Sequence, residues 1–145
     1  MLVGVVYDDG IERGLMSTIF SKILSGELPC HRIAEDDRFL AFLDVRPVNP
    51  GHTLVIPKKE VDYLFELEDD LLGGILPFAK PVARALKKVV ACERVGVMVA
   101  GLEVRHAHVH LIPFSAIPEL AFSRAKPGDA EELAELAGRI RAAME

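Results

Sequence analysis

Residues 105–113 read Arg105-His106-Ala107-His108-Val109-His110-Leu111-Ile112-Pro113, and this string limits the fold more than any other. In an extended strand successive side chains leave on opposite faces. His106, His108 and His110 therefore project from one face, and Ala107, Val109 and Leu111 from the other, toward a core. Three of the chain's five histidines fall in five positions, a pattern that water-satisfied surface histidines account for poorly. A strand over 104–113, packed on one side and carrying imidazoles on the other, is the expected element. Those imidazoles suit zinc or another divalent ion. They suit equally a nucleophile with proton handlers in phosphoryl chemistry. The spacing leaves both open, and no carboxylate or thiolate lies in the strand to complete a metal site.

The other runs supply partners for that strand. Ser17 or Thr18 can cap a short helix carrying Ile19, Phe20, Ile23 and Leu24 on one side, ended by Gly26 and Pro29. Strand-like runs at 31–34 and 39–43 flank a turn at Glu35-Asp36-Asp37, and the prolines and glycine of 44–51 mark a loop. Residues 52–57 and 95–100 read as buried strands. The strongest helical signal runs over 66–90, starting near Asp69 or Asp70, with Leu71, Leu72, Ile75, Phe78, Val82, Leu86 and Val89 on one face. Pro77 and Pro81 lie inside it and predict a kink or a late start. A second helix over 129–144 carries Leu133, Leu136, Ala137, Ile140 and Ala143 as its stripe. Strands and helices do not alternate one for one, so the fold class is α+β, with an antiparallel sheet and helices beside it.

A length of 145 residues suits one domain with its own core. The net charge of −5, from 22 acidic and 17 basic residues, gives no basic stripe, so nucleic acid is not an expected partner. One locally positive pocket still accommodates a small phosphate ligand. Cys30 and Cys92 form neither a disulfide framework nor a CxxC clamp. No run approaches the ~20 apolar residues of a membrane span, and the opening segment lacks the basic region of a secretory signal. A cytoplasmic protein without a membrane partner is expected.

The string His106-Ala107-His108-Val109-His110-Leu111-Ile112 resembles the signature of the histidine-triad (HIT) family, in which three histidines alternate with apolar residues. Thr18-Ile19-Phe20, Glu27-Leu28-Pro29, Glu35 to Arg38, Leu40-Ala41-Phe42, Asp44 and Gly51 to Lys59 extend the likeness to the Hint-like, nucleotide-binding branch. It covers Ser17 to about Pro113, and it implies a HIT-like sheet of about five antiparallel strands, with one long and one short helix plus a C-terminal helix. The implied division is an N-terminal arm over 1–16, the HIT domain over 17–115 and a helical extension over 116–145. The extension is expected to cover the pocket or pack on a partner.

The resemblance implies a purine nucleotide or nucleoside phosphoramidate as substrate, a homodimer joined through the long helix and the strand near Val95, and no cofactor. His108 is the implied nucleophile on the α-phosphate. His106 orients it through its main chain, and His110 and His52 bind phosphate oxygens or pass a proton to the leaving group. Asp44 is the implied ribose ligand, and Phe20, Leu28, Phe42, Leu43 and Val45 line the purine pocket. The branch usually carries an asparagine loop and a Gly-Gln before the triad. Here Gly101 is kept, Leu102 stands where glutamine is expected, and Glu103 is brought near an anionic substrate. Thr18 and Ser21 replace the Cys-x-x-Cys that holds zinc in some relatives, so no structural metal is implied. Cleavage of dinucleoside polyphosphates and a nucleotide sensor with incidental turnover are the alternative functions, and a metal-dependent hydrolase a third.

Overall fold

The computed structural model describes residues 18–144; the expected arm over 1–16 lies outside them. Thr18 opens α1 (Ile19–Ser25) by accepting the Ser21 amide on its hydroxyl, and Gly26, at φ 88°, closes it in the left-handed conformation that costs glycine least. Next come β1 (Arg32–Glu35), β2 (Phe39–Leu43) and β3 (Thr53–Pro57), then α2 (Asp69–Val89), β4 (Arg94–Met98), β5 (Val109–Phe114) and α3 (Ala130–Ala143). The strands form one antiparallel sheet in the order β1-β2-β3-β5-β4.

Alternation along β2 and β3 builds a core on each face of this sheet. Phe39, Ala41, Leu43 and Val55 join Val109 and Leu111 in the larger one. There α2 contributes Ile75, Ala79, Val82 and Leu86, and α3 contributes Leu133, Ala137 and Ile140. Leu40, Phe42, Leu54 and Ile56 point the other way, where Phe20 of α1 and Val104 complete a smaller core. Both faces of β2 and β3 are thus covered, which is why their sequences are continuously apolar.

Pro77 and Pro81 lie within a single continuous α2. Both sit on its exposed side, so the Gly73 and Pro77 carbonyls that they deprive of a donor are on the solvent face. Acidic residues in the first turn and lysines in the last complement the dipole. Asp129 caps α3 by accepting the Glu132 amide at 3.0 Å. No helix among the described residues is long and apolar enough to cross a membrane.

The strand expected from 104 begins only at Val109. The facing pattern does extend upstream, with Val104 in the smaller core and Ala107 in the larger, but the ladder does not. The Ala107 amide bonds the Val61 carbonyl at 2.7 Å instead of a neighbouring strand. His106 and His108 therefore lie on the extended approach to β5, and only His110 is within it. β1 and β4 also fall a residue later and earlier, respectively, than the runs 31–34 and 95–100.

Candidate active site

His106 is fully buried, with Nε2 2.7 Å from the Pro57 carbonyl, an oxygen that can only accept, so this nitrogen carries the proton. Its Nδ1 has no hydrogen-bond partner among the described residues. The His106 carbonyl in turn sits 2.7 Å from Nδ1 of His108, which places the His108 proton there and leaves the Nε2 lone pair outward. Phe20 stands edge-on to that ring, 5.0 Å between centroids at 86°, and edge-on to Phe42 at 5.6 Å. Burial lowers the pKa of both imidazoles, partly offset by the carbonyl each donates to. His108 is thus a neutral ring, held at one nitrogen and without a hydrogen-bond partner among the described residues at the other.

A second chain of hydrogen bonds comes from the loop between β2 and β3. The Val48 amide donates to Nδ1 of His52 at 3.0 Å. A neutral ring accepting there carries its proton on Nε2, which lies 2.9 Å from Nδ1 of His110. Burial lowers His52 to about 4, and it lowers His110 as well, with the rings of His108 and His52 adding to the effect. Phe122, in a 3₁₀ turn over Phe122–Arg124, covers the His110 ring at 4.7 Å.

Asp44 joins this cluster from the end of β2. Its Oδ1 accepts the Arg46 amide at 2.9 Å, and its Oδ2 lies 3.6 Å from Nε2 of His52. Burial pushes the carboxyl up to about 6 against the pull of the Arg46 bond, and the charge of Glu103 adds to the rise. With His52 neutral, the 3.6 Å approach is a weak N–H···O contact rather than an ion pair. Asp44, His52 and His110 do offer ligand atoms within 4.8 Å of one another, the spacing of a metal site. The sequence pointed to Asp44 as a ribose ligand but not as a neighbour of His52 and His110, because it lies far from the histidine string. The hydrogen bonds oppose such use: an ion on Nε2 of His52 would shift the proton to Nδ1 and orphan the buried Val48 amide, a cost of about 1–3 kcal/mol.

Two chambers of about 390 Å³ each meet at these side chains. Phe20, Leu28, Phe42, Leu43 and Val45 line the more apolar one, and Gly101, Leu102 and Phe122 the other. Asp44, Arg46, Glu103, His108 and His110 border both. The HIT domain model matches residues 25–116. The chain belongs to the HIT family. The adenosine 5'-monophosphoramidase hnt1 of Schizosaccharomyces pombe is 41% identical over 103 residues, 68% of this chain and 74% of that protein. A Hit-like protein from Bartonella henselae superposes with TM-score 0.78 at 34% identity, covering 88% of this chain and 96% of that one. A hypothetical histidine triad nucleotide-binding protein from Sulfolobus tokodaii gives 0.76 at 32% identity, over 86% and 89%.

In this HIT chain every residue singled out in the sequence except His106 borders a chamber. His106 stands behind His108. Phe20 and Phe42 are core and lining at once, at 4% and 3% exposure. Gly101 and Leu102 belong to the second chamber alone, and Leu102 is 77% exposed there. The extension over 116–145 was expected to cover the pocket or pack on a partner, though none of its residues was named as lining; Pro127, Gly128 and Leu133 line the apolar chamber and Phe122 the other. A signal did exist in the Lys126-Pro127-Gly128-Asp129 turn before α3. Its Gly128 amide bonds the Val45 carbonyl at 2.8 Å.

Proposed function

We propose that this protein hydrolyses a purine nucleoside 5'-phosphoramidate at the α-phosphate through a covalent nucleotidyl-histidine on His108. One observation carries the reading: the His106 carbonyl holds the proton of His108 on Nδ1, so the Nε2 lone pair stands at the junction of the two chambers. The apolar chamber takes the base, edge-on to Phe20 and Phe42, and Asp44 accepts hydrogen bonds from the ribose hydroxyls. The second chamber takes the leaving group.

Nε2 gives its electron pair to phosphorus as the P–N bond breaks. The pair from that bond goes to nitrogen, and the amine departs with a proton drawn from water. Water then attacks the phosphorus, the P–Nε2 bond breaks, and His108 returns to its neutral form with release of nucleotide and proton. No metal enters. Asp44 and Glu103 against the single cation Arg46 give the shared border a negative balance, which favours an amine leaving group over the phosphate chain of a dinucleoside polyphosphate. The naming of the hnt1 relative agrees with this choice. The exposed edge strand β4, with Val97 at 53% exposure, supports a homodimer joined along that edge.

Acid-quenched mass spectrometry of the enzyme mixed with a slowly released nucleotide ester tests the mechanism. The expected product is a nucleotide adduct on His108, and His108→Asn loses at least about 10³-fold in turnover while still binding nucleotide. An adduct on another residue, or loss of rate on chelation, overturns it.

A further inference from the structure

If the protein cleaves a nucleoside phosphoramidate as proposed above, the walls of the second chamber select among leaving groups. We infer that the leaving group is an apolar primary amine without a carboxylate of its own, received against Leu102 and Phe122 and screened by Glu103. Of the side chains that belong to this chamber and not to the base chamber, only Ser123 and the buried His52 are polar; Ala100, Leu102, Phe122 and Ala125 present carbon. Leu102 is the most exposed large apolar side chain among the described residues, and Phe122 is 37% exposed although its ring rests on His110 at 4.7 Å. Both keep apolar surface in water at the chamber wall, and an occupant with carbon to offer removes that surface from water.

The polar groups stand elsewhere. Asp44, Arg46, His108 and His110 border both chambers, at the level of the scissile P–N bond. The leaving nitrogen is therefore met by polar groups, and the substituent behind it by carbon. Leu102, at the position where the resemblance implies glutamine, sets this first preference: an amide there would hold a polar substituent by hydrogen bonds, and an isobutyl group offers none. Glu103 supplies the second half of the selection. It is exposed at the same border, and its charge is felt at Asp44, whose carboxyl it helps to raise. Arg46 is the one arginine or lysine lining either chamber among the described residues. A leaving group with a carboxylate would bring a further negative charge to Asp44 and Glu103 against that single cation. An amino acid joined through its nitrogen is thereby disfavoured, and the same amine without its carboxyl is accepted.

Steady-state hydrolysis of AMP phosphoramidates of ethylamine, hexylamine, ω-hydroxypentylamine and ω-aminohexanoate, each joined through its nitrogen, reads both preferences. The reacting nitrogens are alike as leaving groups, and the conjugates differ in what trails behind. From ethylamine to hexylamine kcat/KM is expected to rise about tenfold, near twofold for each added methylene covered on one side. It should fall at least about fivefold from hexylamine to either ω-hydroxypentylamine or ω-aminohexanoate. Leu102→Gln, a change at an exposed position that leaves the core untouched, should bring hexylamine and ω-hydroxypentylamine within about twofold of each other. Phe122→Ala should lower the gain per methylene, and Glu103→Gln should raise ω-aminohexanoate toward hexylamine. Equal kcat/KM for hexylamine and ω-hydroxypentylamine in the parent, or a preference that Leu102→Gln does not alter, overturns the inference. So does ω-aminohexanoate cleaved as fast as hexylamine. Calorimetry of the same conjugates on His108→Asn separates these failures from a failure of hydrolysis. If no conjugate is turned over but the hexylamine one binds more tightly than the ω-hydroxypentylamine one, the hydrolytic reading fails and the assignment of the chamber stands; if none binds, both fail.

Discussion

At the scale of single residues, the site is held against its own electrostatics. Asp44 has an ordinary pKa of 3.8 and is raised to about 6 in the fold. A raised carboxyl favours the native state only when protonated, so stability falls as pH rises from about 4 to about 6 and the whole cost is present at pH 7. At 1.36 kcal/mol per unit that cost is about 3 kcal/mol as an upper figure. Asp44→Asn keeps an oxygen for the Arg46 amide, and is expected to stabilise the nucleotide-free protein by about 1–3 kcal/mol at pH 7. Urea midpoints for the two proteins should converge below pH 4. The same variant should lose the preference for AMP over 2′-deoxy-AMP, expected at tenfold or more in the parent. Equal binding of the two nucleotides by the parent removes Asp44 from the ribose site. His52 has the opposite sign: its pKa falls from 6.5 to about 4, so its contribution rises as pH climbs through that window. The two slopes oppose each other in the parent, and Asp44→Asn should be the more acid-sensitive protein between pH 6 and 4. Among these residues, the facing of the three alternating histidines was legible because side-chain period is a property of the string. The Val48 amide and Phe122 were not, since a backbone donor has no residue signature and Phe122 reaches His110 through an irregular turn.

At the scale of elements, legibility depended on what ends each run. The bounds of β2 and α1 were readable because turn and cap residues close them: Asp36 accepts the Arg38 and Phe39 amides at 2.8 Å each, and Thr18 and Gly26 bracket α1. The start of β5 was not, because alternation records which way side chains face and says nothing about which backbone groups find a strand partner. The long helix shows a related gap between local rule and outcome. Two prolines predicted a kink or a late start; the helix begins at Asp69 and runs on through both, and their spacing of four puts both on the wet side, where a missing bond costs least. α3 belongs to the larger core as much as the sheet does, with Ile140 fully buried. Ile140→Ala is expected to cost about 2–5 kcal/mol in denaturant unfolding. A loss below ~1 kcal/mol would mean α3 packs loosely and acts only as a cover.

At the scale of the molecule, the edge strand β4 leaves Val97 at 53% exposure, and Val99 just beyond its end is at 44%. Sedimentation of the 15.9 kDa chain is expected to show a dimer, and Val97→Glu to shift it toward monomer. A monomeric parent removes the proposed interface. The apolar chamber also joins distant parts of the chain. The Gly128 amide bonds Val45 at 2.8 Å, Arg124 bonds the Asn49 side chain at 2.8 Å, and the weaker Lys126–Pro47 and Arg46–Ala125 contacts lie at 3.4 Å. These few bonds form a latch between segments nearly eighty positions apart, and no covalent link backs it. Exchange of the Gly128 amide with deuterated solvent is therefore a clock for the latch, and bound nucleotide, by bracing both sides, should slow it. If nucleotide leaves through this opening, the ceiling on turnover is set by how often a handful of hydrogen bonds let go, whatever the speed of the chemistry at His108.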